Sequence, residues 1–262
     1  MTPPRVIVTR PAQEAERWVR DLRARGLAAE ALPLIAILPV TDAGARAALQ
    51  QARARLGSYP VAMFVSGNAV RYFFDADPGS VLDSIETRAW TTGPGTVRAL
   101  EQAGWPPARI DTPDVAAGEQ ADSEALWARV QGQIRPDTPV LIVRGGDAQG
   151  RPAGRTWLAG QLAAAGAQIE TVVAYRRAPP LWDAEQQALA RAALQDGSAW
   201  LVSSSEAAAN LSRLMSGLPL QNARAIATHP RIADAARAAG FGAVAESHPM
   251  LDAVVRSIES AV

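Results

Sequence analysis

The sequence predicts two similar α/β domains, each a mainly parallel sheet flanked by helices. Three observations carry that expectation. Short β-like runs alternate with amphipathic helical patterns along the chain, as in βαβ units. Runs such as "VAMFV" (61–65) and "VLIV" (140–143) are apolar throughout, which suits strands covered on both faces. The pattern also recurs after more than 130 residues, too long a period for a solenoid and right for paired domains. With 262 residues, two ordinary domains can each bury a core.

In chain order, the first unit is "RVIVTRPAQEAERWVRDLRARGLAAEALPLIAILP" (5–39). It reads as a strand, a helix with Ala15, Trp18, Val19 and Leu22 on one face, a glycine stop at Gly26 and a β-like stretch. A second unit opens with "MFVSGNAVRYFF" (63–74), where an apolar run reaches Ser66 before Gly67 and Asn68 break it into a helix. "RAWTTGPGTVRALEQAG" (88–104) and "ARIDTPD" (108–114) continue it, leading to the helical "SEALWARV". Residues 140–179 repeat the first unit, with a glycine-rich loop and a helix ending at Gly166. The second unit then returns as "WLVSSSEAAANLSRL" (200–214), with Ser203 in the place of Ser66. "RAIATHPRIADAARAAG" (224–240) and "GAVAESHP" (242–249) follow, and a last helix has Leu251, Val254, Val255 and Ile258 on one face.

Composition removes several functions. The chain is 48% hydrophobic and 20% charged, as in soluble globular proteins. No apolar run approaches the ~20 residues of a membrane span, and "MTPPRVIVTRP" lacks the regions of a signal peptide. Cysteine is absent, so a cytoplasmic address without disulfides is expected. A formal net charge of zero argues against nucleic acid as a partner. All 26 basic residues are arginine, which excludes Schiff-base and P-loop lysines.

The breaks lie at carboxyl ends of strands, the edge where open α/β sheets bind ligands. Ser66 and Ser203 fit no G-x-S-x-G elbow, and no histidine can be assigned to either as a base. They read either as helix caps or as donors to a carboxylate or phosphate. Thr92-Gly93 and Thr228-His229 repeat that offer, with Pro94 and Pro230 suited to start helices. The loop "RGGDAQGRPAGR" (144–155) is neither G-x-G-x-x-G nor a Walker sequence. His229 and His248 have no cysteine partners, so no metal site is expected. Tyr175 in "VVAYRRAPP" reads either as a packing residue beside Val172 and Val173 or as a phenol able to donate a proton.

"VIVTRP", "ALPLIAILPV", "MFVSGNAV", "TTGPGTVRAL", "ADSEAL", "VLIVRG", "VVAYRR" and "LVSSSEAAANL", in this order and over nearly the whole chain, resemble the uroporphyrinogen-III synthase family. The resemblance implies two α/β domains joined by a two-stranded β linker, with a cleft between them. The discontinuous domain would comprise residues 1–36 and 178–262, and the continuous one 40–172. Linker strands would run at about 30–40 and 169–178. The interleaved repeat requires such an exchange if each domain holds one copy of both units. The implied reaction closes the linear tetrapyrrole hydroxymethylbilane to uroporphyrinogen III, with loss of water and inversion of ring D, in heme biosynthesis. Loss of hydroxide would leave an azafulvene, and attack by the substituted α-carbon of ring D would give a spiro intermediate. No cofactor or metal is implied. The enzyme would be a hydro-lyase that works chiefly by positioning, a monomer receiving its substrate through transient contact with the preceding pathway enzyme.

Carried over by motif, the substrate-binding residues are Thr9, Arg10, Ser66, Asn68, Thr92, Gly93, Arg144, Ser203, Ser204 and Thr228, with Tyr175 as candidate proton donor. Arg10 and Arg144, at strand ends, would supply basicity toward a polycarboxylate. Two features depart from the family pattern: His229 stands where a glycine-proline turn is usual, and the 144–155 loop is longer. Two other classes share the architecture, a nucleotide-sugar transferase and a non-catalytic two-domain binding protein. The first should carry ordered charges for a diphosphate and the second an export signal.

Overall fold

A computed structural model describes residues 4–74, 85–114 and 119–260. Residues 1–3, 261 and 262, at the ends of the expected discontinuous domain, lie outside the described residues. The chain divides into two units, one of Met1–Ala36 with Ala178–Val262 and one of Ile37–Arg177.

In chain order, β1 (Val6–Val8), α1 (Ala12–Ala24) and β2 (Ala29–Ala31) precede β3 (Ala36–Pro39) and α2 (Ala43–Ala54). Then come β4 (Val61–Phe64), α3 (Gly67–Phe73), β5 (Arg88–Trp90), α4 (Pro94–Gln102), β6 (Ile110–Asp111) and α5 (Ser123–Val130). The middle of the chain continues with β7 (Pro139–Gly146), α6 (Trp157–Ala164), β8 (Gln168–Ala178) and α7 (Ala184–Ala193). It closes with β9 (Ala199–Val202), α8 (Ser205–Leu214), β10 (Arg224–Ala227), α9 (Pro230–Ala239), β11 (Ala243–Glu246) and α10 (Leu251–Glu259).

The first unit holds a five-stranded sheet in the order β11-β10-β9-β1-β2, with parallel pairs throughout. The chain winds outward in both directions from β1 and β9, so the switch point lies between them. Ala15, Trp18, Val19 and Leu22 of α1 pack with Val254, Val255 and Ile258 of α10 against Val6, Val8, Ala199 and Leu201. Those are the helical faces marked by apolar spacing, with Leu251 only partly buried at the edge.

The second unit holds a six-stranded sheet, β3-β8-β7-β4-β5-β6, whose switch point falls between β7 and β4. Side-chain alternation divides its core. Ala62, Phe64, Leu141 and Val143 face α2, α3 and α4, while Val61, Met63, Val140 and Ile142 face α5 and α6. Apolar runs here do mean burial on both sides.

The stretch expected as one linker strand at 30–40 is two strands. β2 pairs with β1, whereas β3 lies beside β8 in the other sheet. Pro33 falls between them and has no N–H for a ladder. β8, the other expected linker strand, pairs along its length with β7. Its register slips between Arg144 and Gly145: Arg144 faces Val173, but Gly145 faces Tyr175. The slip sets adjacent Ala174 and Tyr175 into the same core cluster, which strict alternation forbids.

Candidate active site

In the second unit, four consecutive strands bring expected residues to one place at the carboxyl edge. Tyr175 comes from β8, Arg144 from β7, Ser66 follows β4 and Thr92 follows β5. All four line a cavity of about 320 Å³, with Met63, Ile142 and Leu158 as apolar wall and Asp122, Arg155 and Arg177 at its polar side. It straddles the switch point, where α/β sheets open toward ligands.

Ser66 is extended and caps α3, its Oγ accepting from Ala69 N at 3.1 Å. The same Oγ lies 3.1 Å from the Tyr175 hydroxyl. Tyr175 is only 5% exposed, and its ring meets that of Tyr72 at 5.8 Å between centroids. Its seat depends on Gly145: a Cβ there would stand 2.5 Å from Tyr175 Cζ.

Arg144 is 7% exposed. Its Nη2 donates to the carbonyls of Ala153 at 2.7 Å and Arg155 at 3.2 Å, while Nε is buried without a hydrogen-bond partner. Among the described residues, no carboxylate pairs with it. Burial, followed by the positive charge of Arg177, lowers its pKa, with Tyr175 opposing. The glycine-rich loop therefore turns carbonyls toward an arginine, the reverse of a phosphate cradle, which presents N–H groups. Asp147 holds the loop's turn by accepting from Gln149 N at 2.9 Å and Arg151 N at 3.0 Å.

Two other expected residues stand beside the cavity at helix starts. Asn68 accepts from Arg71 of its own helix at 2.6 Å, and Gly93 is the N-cap of α4.

In the first unit, the remaining residues lie along the carboxyl edge of neighbouring strands. Thr9 is buried and donates to Leu201 O at 2.7 Å, tying β1 to β9. Thr228 is also buried, its N–H bound to Val202 O at 3.2 Å. Ser204, not Ser203, caps α8, accepting from Glu206 N at 3.2 Å. Ser204 follows β9 at the spacing by which Ser66 follows β4, so the expected match of Ser203 to Ser66 is off by one residue. His229, the departure from the family turn, caps α9 by accepting at Nδ1 from Arg231 N at 3.1 Å.

The corrected register aligns the arginines. Val6 pairs with Ala199 as Val140 pairs with Val61, so Arg10 occupies the position of Arg144. Their surroundings differ. Arg10 binds Glu14 at 3.2 Å and lies over the Trp18 ring at 4.7 Å. Burial lowers its pKa, with Glu14 acting against that.

Gly145, Asp122, Arg155 and Arg177 were not among the expected site residues. For three of them a signal was present: a Gly-Gly pair at a strand's end for Gly145, an Asp-Ser-Glu helix start for Asp122 and an arginine pair after Tyr175 for Arg177. Among the described residues there is no group of three or more His, Cys, Asp or Glu suited to a metal ion, and no helix long and apolar enough to cross a membrane.

The chain is similar to a crystallised mutant uroporphyrinogen III synthase from the extremely thermophilic bacterium Thermus thermophilus, with 19% identity over 98% of both chains and a TM-score of 0.54. It is also similar to the uroporphyrinogen-III synthetase of Helicobacter pylori, with 15% identity over 100% of both chains and a TM-score of 0.61. At such identities the likeness establishes the shared fold. A family model described as uroporphyrinogen-III synthase HemD matches residues 16–256, far more than half of the sequence. The chain belongs to the uroporphyrinogen-III synthase family.

Proposed function

We propose that the protein cyclises hydroxymethylbilane to uroporphyrinogen III, as a hydro-lyase of heme biosynthesis. Family membership favours this over a nucleotide-sugar transferase or a non-catalytic binding protein. The observation that carries the chemistry is Arg144: a buried guanidinium with which no carboxylate pairs among the described residues, opening onto a cavity that also holds a phenol. A buried cation is costly unless paired. An acetate or propionate arm of the substrate supplies the missing charge through a charge-assisted hydrogen bond.

Beside it, Tyr175 acts as general acid. The C–O bond of the terminal hydroxymethyl group breaks with both electrons on oxygen, which takes the phenol proton and leaves as water. The substituted α-carbon of ring D attacks the resulting azafulvene, and the spiro intermediate fragments and recloses with that ring reversed. The proton released when the last pyrrole regains aromaticity restores the phenol. Thr92 offers a neutral contact in the same cavity, and Ser66 lies at its wall against the phenol. In the first unit Arg10, Ser203 and Ser204 offer contacts at the corresponding edge, and Thr9 and Thr228 support it from beneath. Asn68 and Gly93 shape the helix starts beside the cavity. A cytoplasmic, monomeric enzyme that takes its substrate from the preceding pathway enzyme completes the proposal.

The test is incubation with freshly prepared hydroxymethylbilane and resolution of the product isomers. Isomer III should dominate, and isomer I alone would defeat the reading. Arg144→Met should raise KM by about 10- to 100-fold, as expected for losing a hydrogen bond to a charged group. An unchanged KM would remove Arg144 from substrate binding.

A further inference from the structure

The Ser66 hydroxyl touches two groups, and its contact with Tyr175 admits either oxygen as donor. Its oxygen accepts from Ala69 N at 3.1 Å and lies 3.1 Å from the Tyr175 oxygen. A serine hydroxyl has one hydrogen to donate and two lone pairs. With one lone pair given to Ala69, its hydrogen is free to go to the phenol oxygen. Among the described residues it has no other acceptor.

That arrangement leaves the phenol hydrogen unspent, since Tyr175 makes no other hydrogen bond with the described residues. The phenol lines the cavity with Arg144, held there by the register slip in β8 and by the missing side chain of Gly145. If the phenol instead donated to Ser66, the serine hydrogen would be unused and the phenol would have nothing to give.

We propose that Ser66 is a positioning residue for Tyr175: by donating to the phenol oxygen, it keeps the phenol proton turned into the cavity toward the departing hydroxyl. The inference rests on Tyr175 being the proton donor of the cyclisation. As the proton leaves, negative charge grows on the phenol oxygen, and a bond donated to that oxygen strengthens. Ser66 thus favours the transition state over the ground state, which raises kcat rather than tightening substrate binding.

The experiment is a double-mutant cycle with Ser66→Gly and Tyr175→Phe, together with Ser66→Thr. Glycine removes the hydroxyl yet remains a good N-cap residue, so α3 should survive. Ser66→Gly should lower kcat by about 3- to 10-fold with KM little changed, the scale of one neutral hydrogen bond. Threonine, which keeps the hydroxyl, should restore most of that loss. Within the Tyr175→Phe enzyme, Ser66→Gly should lower kcat no further. A second readout is independent of turnover. With tyrosines labelled at 13Cζ, the Tyr175 resonance, assigned by its loss in Tyr175→Phe, should move in Ser66→Gly and return in Ser66→Thr.

Equal kcat losses in both backgrounds, or an unmoved Tyr175 resonance, would overturn the positioning role while leaving the phenol as donor. A Tyr175→Phe enzyme with wild-type kcat would overturn the donor and, with it, this inference.

Discussion

Gly145 shows how much one missing side chain can decide. An added Cβ would lie 2.5 Å from Tyr175 Cζ and 2.7 Å from its hydroxyl oxygen. Carbon atoms normally rest about 3.5–4.0 Å apart, so the ring would have to move. Because the clash involves the far end of a side chain, Gly145→Ala should displace the phenol more than it unsettles the fold. We expect kcat to fall as far as in Tyr175→Phe, with general-acid catalysis typically worth about 10²–10⁴-fold. Stability should fall by about 1–3 kcal/mol, as for other overpacked sites. Isomer-resolved rates and urea unfolding check both, and wild-type values in each would mean that the ring has another seat. Arg144 and Arg10 make the complementary point. They occupy matching positions, but Glu14 in the first turn of α1 pairs with Arg10, while the hydrogen bonds of Arg144 among the described residues go to carbonyls. Residue type alone marked both as anion ligands; the neighbours single out Arg144.

At the level of elements, the helix starts carry most of the local logic. Ser66, Ser204 and His229 each turn a strand end into a helix by accepting a backbone N–H. Asp42, Asp122 and Asp183 do the same for α2, α5 and α7, the last with a complete capping box through Gln186. These caps explain why hydroxyl residues recur at the breaks without acting as nucleophiles. They also supply a direct test of the corrected repeat. Ser204→Ala should destabilise the protein by about 1 kcal/mol, the usual value of a lost cap. Ser203→Ala should stay within about 0.5 kcal/mol, as for a substitution away from such a feature. Denaturation midpoints measured side by side decide it, and the opposite order would return Ser203 to the cap position. Helix faces and caps are legible in sequence because they depend on residues three or four apart. The one-residue choice among Ser203, Ser204 and Ser205 was not, because all three have the same chemistry and only the end of β9 distinguishes them.

For the whole molecule, the interleaved order has a consequence for folding. β1 is paired on both sides, with β9 and with β2, so residues 178–262 lack a central strand when residues 1–36 are removed. Residues 37–177 keep all six strands of their sheet, β3 and β8 each short of one end residue, and the helices over both faces. An isolated 37–177 fragment should therefore unfold cooperatively. The 178–262 fragment should not, until a peptide of residues 1–36 is supplied. Circular dichroism during thermal unfolding checks this, and a cooperative transition in 178–262 alone would refute it. The sequence by itself determined the fold class, the order of repeated units, the buried helix faces and the family, because periodicity and motif order are written in nearby residues. Tertiary structure alone decided the seat of Tyr175, the burial of Arg144 without a carboxylate partner among the described residues and the bond between Ser66 and Tyr175. Those two residues are 109 positions apart. They meet only because β7 separates β4 from β8 in one sheet and a register slip turns the phenol toward the serine.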